Sequence, residues 1–191
     1  MLGLIIIALL GLQQAGVVAH GERSRRRLIS SSEDEPCMRM NVYYHDILYN
    51  GENNGNATSA AATQPTALSR SVSINDTFFG QVIVFDDVVT AGQALASEPV
   101  ARAQGFYFYD NKERLNAWFA FSLVFNSTAH KGTLNVMGAD LIFNKTKDFS
   151  IVGGTGDFFM SRGIATVRTD SYEGLYYFRL HMDIKLYECY V

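Results

Sequence analysis

Charge is scarce in this chain of 191 residues. Asp, Glu, Lys and Arg together make up 18% of it, and the formal net charge is −3. A near-neutral balance offers no electrostatic reason to expect nucleic acid or an anionic membrane as partner. Proline occurs three times, tryptophan once and cysteine twice. No G-x-S-x-G elbow, P-loop or dinucleotide fingerprint follows a strand pattern. His20, His45, His130 and His181 have neither H-x-H nor H-x-x-x-H spacing. That scatter argues against a metal site, and nothing in the chain implies a cofactor. No repeat appears at a solenoid period.

Apolar residues, by contrast, are abundant. They make up 48% of the chain, with thirteen Phe and ten Tyr, so it has the means to build a packed core. Its length suits a single domain. Residues 2–12 form an uncharged apolar run, followed by Gln13, Gln14 and small residues up to Ala19. The run is too short to span a bilayer and reads as a signal peptide over residues 1–19, so the mature protein is expected to be exported and soluble. Sequons at Asn56, Asn75, Asn126 and Asn144 agree with export and make these four candidate glycosylation sites. Cys37 and Cys189 stand near the two ends of the mature chain. In an oxidising compartment they would pair, and the alternative is two free buried thiols.

Residues 20–36 carry a basic run at 22–27 and then serines and acids, without periodicity. They read as a flexible polar arm, either a contact for an anionic polymer or a solvated tail. From Cys37 the period is two. Met40, Val42, Tyr44, Asp46 and Leu48 share one strand face. Further strands are expected over 79–85, 100–109, 115–126, 132–140 and 176–187, with the third of these also compatible with a helix. A hairpin is expected to turn at Gly153-Gly154-Thr155-Gly156, with loops over 50–75 and 86–99. About eight strands with hairpin-length links imply an all-β, closed antiparallel barrel over 37–191, whose interior can hold one small ligand.

Two carboxylates fall on apolar faces. Asp46 is in phase with Val42 and Tyr44, and Asp140 with Leu134 and Val136. Inside a barrel, desolvation would make each a proton donor; at a barrel mouth, each would simply be hydrogen-bonded. Tyr107 shares a face with Ala101, Ala103 and Gly105. Those small neighbours leave room for a ligand ring, although core packing is the ordinary fate of such a Tyr.

Several motifs together resemble the plant dirigent proteins, the pinoresinol-forming subgroup above all. They are Tyr44-His45-Asp46-Ile47-Leu48-Tyr49-Asn50-Gly51, Val84-Phe85-Asp86-Asp87, Ala101-Arg102-Ala103-Gln104-Gly105-Phe106-Tyr107 and Gly138-Ala139-Asp140. Asn56-Ala57-Thr58-Ser59-Ala60, Val152-Gly153-Gly154-Thr155-Gly156-Asp157-Phe158-Phe159-Met160, Arg162-Gly163-Ile164-Ala165-Thr166 and Lys185-Leu186-Tyr187-Glu188-Cys189 complete the set. The resemblance implies an eight-stranded antiparallel barrel of the allene oxide cyclase or lipocalin kind, a terminal disulfide, and a homo-oligomer, trimer or dimer. It also implies secretion to the apoplast and no oxidase activity. A separate laccase or peroxidase would generate coniferyl alcohol radicals, and the barrel would direct their 8–8′ coupling to one pinoresinol enantiomer. By the same resemblance Asp46 and Asp140 are the acids, Tyr107 and Thr169 the phenol-binding hydroxyls, and Phe178 the pocket aromatic. Lys147 stands where the family usually has Arg, which keeps the charge but loses the planar fork. A cofactor-free cyclase or dehydratase acting on a quinone methide, and a carrier of phenolic ligands, are the alternative readings.

Overall fold

The computed structural model describes residues 27–30, 35–66, 68 and 78–190. The expected signal peptide, most of the expected polar arm and Asn75 lie outside the described residues. Among those described, every regular element is a strand. They are β1 Leu28–Ser30, β2 Met38–Ile47, β3 Ser59–Ala61, β4 Val82–Thr90, β5 Pro99–Tyr109, β6 Ala117–Asn126, β7 Lys131–Asp140, β8 Lys147–Gly156, β9 Arg162–Glu173 and β10 Tyr177–Tyr190.

Eight of them close a barrel in the order β10-β2-β4-β5-β6-β7-β8-β9, and β9 pairs back onto β10. All these pairings are antiparallel. Closure leaves no edge among these strands. Alternation sends every second side chain inward. In β6, Ala117, Phe119, Phe121, Leu123 and Phe125 are all buried while their neighbours are not, which settles this segment as a strand.

Register defines two ends. Ile47, Tyr177, Glu173, Lys147, Asp140, Ala117 and Tyr109 lie at one end, here the mouth. The other end is shut by Phe158, fully buried and 4.7 Å from Phe125 between ring centroids, with His130 at 5.3 Å. The Cys37–Cys189 disulfide forms at this closed end, ruling out free thiols. Cross-linking residues 152 apart removes chain entropy worth on the order of 4–5 kcal/mol.

Three expectations need correction. Gly153–Gly156 is not a turn. These residues belong to β8 and pair with Gly132–Asn135 of β7, and the reversal comes later, at 157–161. Their lack of side chains serves close approach: a Cβ on Gly154 would lie 2.3 Å from the Phe158 carbonyl oxygen and 2.6 Å from that of Thr133. Strand β4 runs on through Asp86 and Asp87, which composition had assigned to a loop. Asp86 points outward to Arg102 at 2.6 Å, and Asp87 points inward. Finally, the expected 50–75 loop contains a short strand, since Ser59–Ala61 pairs with Ile83–Phe85 of β4; within the expected arm, Leu28–Ser30 pairs with Glu188–Tyr190.

Candidate functional site

The barrel centre is solid. Tyr107, Phe119 and Phe149 stack in a row, with centroids 4.6 Å and 5.5 Å apart, and Phe85 packs edge-on to Tyr44 at 5.8 Å. The space left among Tyr44, Phe119, Phe121, Phe149 and Met182 is about 10 Å³, room for at most one water. The small residues beside Tyr107 therefore do not open a ligand chamber at that level. Rings from β6 fill it, and a Cβ on Gly105 would meet Phe121 Cβ at 2.5 Å. Aromatic packing makes a floor, and what chemistry there is lies above it. A larger recess of about 550 Å³ is open on the outer flank beside Tyr49, Ala57 and Val84. Its one carboxylate, Asp86, is tied to Arg102, so the mouth is the better candidate.

Asp46, Asp140, Lys147, Tyr107, Thr169 and Phe178 all come from inward-facing positions of strands near the mouth. Phe178 is directly opposite Asp46 on the neighbouring strand. Thr169 is exposed at the rim, where a bulge between Arg179 and Leu180 shifts the β9–β10 register. Asp140 and Lys147 close the two ends of the β7–β8 connection and form an ion pair at 3.2 Å, with side chains 13% and 5% exposed. Burial raises the Asp140 carboxyl, and Lys147 opposes the rise. Asp46 is buried and accepts a hydrogen bond from Ser59 Oγ. Desolvation pushes it up to about 6 against that bond. Tyr107 is held well above the usual phenol range by burial and then by Tyr109, so it is a neutral donor.

The residue that sequence reasoning missed is Asp87. It is fully buried, and Thr58 Oγ1 donates to its Oδ1. Burial, then the neighbouring Asp46 charge, pushes it up to about 8. Its signal was present in the alternation Ile83, Phe85, Asp87, Val89, of which every member is buried.

The rim carries exposed apolar side chains, including Phe143, Tyr172 and Leu175 at 73%, 68% and 80% exposure. Asn144 is exposed in the same β7–β8 loop as Phe143; Asn56 and Asn126 are exposed elsewhere, Asn126 at the closed end. No group of three metal-ligating side chains occurs among the described residues.

Chemically, the mouth offers the neighbouring acids Asp46 and Asp87 and the charge-paired Asp140, beside phenol donors and a Phe wall. Such a set can hold an aromatic guest and deliver a proton to an oxygen on it.

Comparison with known proteins bears on the whole barrel. The family model described as dirigent-like protein matches residues 37–187. Dirigent protein 5 of Arabidopsis thaliana is 58% identical over 161 residues, covering 84% of this chain and 85% of the relative. A dirigent protein of Sinopodophyllum hexandrum is 51% identical over 155 residues, covering 81% of this chain and 80% of its own. Among solved structures, a pterocarpan synthase dirigent protein superposes with a TM-score of 0.69 at 24% identity, covering 80% of this chain and 95% of that one. That likeness is one of fold.

Proposed function

Since the chain belongs to the dirigent-like family, we propose that it directs the stereoselective 8–8′ coupling of coniferyl alcohol radicals to one enantiomer of pinoresinol. A separate laccase or peroxidase takes one electron and one proton from each alcohol. The barrel supplies geometry only. Radical pairing has almost no barrier, so a preference of about 1.4 kcal/mol for one face already gives roughly tenfold selectivity.

The observation that carries this reading is the gathering of Asp46, Asp140, Lys147 and Phe178 at one mouth above a closed aromatic floor that includes the Tyr107 ring. Phe178 and the apolar rim hold the rings, while Tyr107 and Thr169 bond the phenol oxygens. The coupled product is a quinone methide at each end. An acid, Asp46 on one side and Asp140 on the other, protonates the quinone-methide oxygen. The side-chain hydroxyl then adds to the methide carbon and gives its own proton back to the carboxylate. No electron is exchanged in this ring closure. Lys147 holds Asp140 in place as a point charge. By the same proposal the protein works as a secreted, glycosylated homo-oligomer in the apoplast.

The test is coniferyl alcohol with laccase, with and without the protein, resolved by chiral chromatography. One enantiomer in excess is expected; a racemate in both tubes overturns the proposal. A cofactor-free cyclase or dehydratase is the second reading, favoured by mouth acids that would protonate a quinone methide of any origin. Turnover of an isoflavanol without oxidase would establish it.

A further inference from the structure

Strands β2 and β4 pair only as far as His45 and Val88. One step further the same register would set Asp46 beside Asp87. There the chain leading into β3 enters between the two strands. Thr58 N–H donates to the Ile47 carbonyl at 2.8 Å, and its own carbonyl accepts from Asp86 N–H at 2.9 Å. The Thr58 hydroxyl accepts from Ile47 N–H at 3.1 Å and donates to Asp87, while the next hydroxyl, Ser59, donates to Asp46. Two adjacent residues of one short segment thus each hold one buried acid. The second oxygen of Asp87 and the Tyr44 hydroxyl are both buried and interact, yet neither completes a hydrogen bond.

We propose that Thr58 and Ser59 clamp the two carboxyls into one acid pair, in which Asp87 is the proton reserve that reloads Asp46. This rests on the acid role given to Asp46 above and adds a positioning residue to it. Asp46, at 8% exposure, is the member nearer the guest; Asp87, at 0%, is cut off from solvent. The one proton of the pair rests on Asp87, passes to Asp46 and is given by Asp46 to the quinone-methide oxygen. The proton released by the cyclising hydroxyl returns to the pair, so the step balances without a bulk acid. The groups that face Asp87 are Asp46 and Tyr44 on β2, Tyr107 on β5, and Arg102, which reaches it only as a distant charge. Tyr44 and Tyr107 stay neutral because burial raises both phenols. The single proton is therefore shared between the acids.

The experiment is the pH profile of ring closure in the full chain, with laccase-generated radicals. The wild type should hold its rate until the pair loses its last proton at about 8, and Asp87→Asn should fall from about 6, the Asp46 value. At pH 7 the variant is then roughly tenfold slower. Thr58→Val removes a bond that holds the Asp87 carboxyl down, so it should move the limb to higher pH, and Thr58→Ser should restore it. Because Thr58 also completes the Asn56 sequon, Asn56→Gln serves as the control and should keep the wild-type profile. Independently of activity, the infrared carbonyl band of a protonated carboxylic acid should be present at pH 7 in the wild type and absent in Asp87→Asn. An unchanged limb in Asp87→Asn, with Asp46→Asn inactive, overturns the reserve alone. Ring closure undisturbed by Asp46→Asn overturns the acid role beneath it, and an unchanged infrared band overturns the pair whatever the activity.

Discussion

The barrel's closed end and its mouth are made by the same eight strands, yet their inward positions hold different chemistry. At the closed end, Phe158, Phe125, Leu123, Leu134 and Leu186 are buried in one core, and the Cys37–Cys189 bridge ties the residue before β2 to the end of β10 there. At the mouth, the inward positions of the same strands hold Asp46, Asp87, Asp140, Lys147 and Tyr107. The closed end lowers free energy through burial and through restriction of the unfolded chain. The mouth raises it, because ionisable groups sit where water cannot solvate them. One end stabilises, and the other is strained towards function.

The largest expected effects are at the closed end. Reduction of the disulfide, or the double change Cys37→Ser with Cys189→Ser, should lower stability by on the order of 4–5 kcal/mol in chemical denaturation. Phe158→Ala leaves a hole under Phe125 and His130 and should cost about 3–5 kcal/mol, read as a fall in the denaturation midpoint. A change of stability below about 1 kcal/mol in either case would break the contrast.

At the mouth the sign reverses. Asp46 and Asp87 have folded values above the unfolded 3.8, so the fold favours their protonated forms. Their contribution is most favourable below about 4 and is lost as pH rises through about 6 and then about 8. Asp87→Asn should therefore stabilise the protein above pH 8, by on the order of a few kcal/mol, with little gain at pH 4. Thermal melts across that range would show it, and a pH-independent difference would refute it. The smallest stability effect belongs to the rim. Phe143→Ser should shift stability by no more than about 0.5 kcal/mol, because the ring is 73% exposed, while lowering the enantiomeric excess.

Much of this contrast is readable in the chain. The alternation through Val42, Tyr44 and Asp46, and through Leu134, Val136 and Asp140, gave both strands their inward faces and placed both acids on them. Asp87 escaped because two consecutive acids look like a loop. Only the barrel shows that one of them turns out to Arg102 while the other turns in. The glycines at 153–156 misled for a related reason. Glycine marks turns and close backbone approach alike, and the neighbouring β7 carbonyl that decides between them belongs to another strand. Whether the small residues beside Tyr107 leave room or are packed over depends on rings that come from β6, a different strand.

Period-two hydrophobicity, a local property of the chain, determined by itself that this protein is a sheet with acids on its inner face. Which acids meet was decided by closure. Barrel stagger brings residues 46 and 87 to one place and lets residues 58 and 59 enter between their strands. Pairing across forty residues depends on register and burial, which no short stretch of sequence contains.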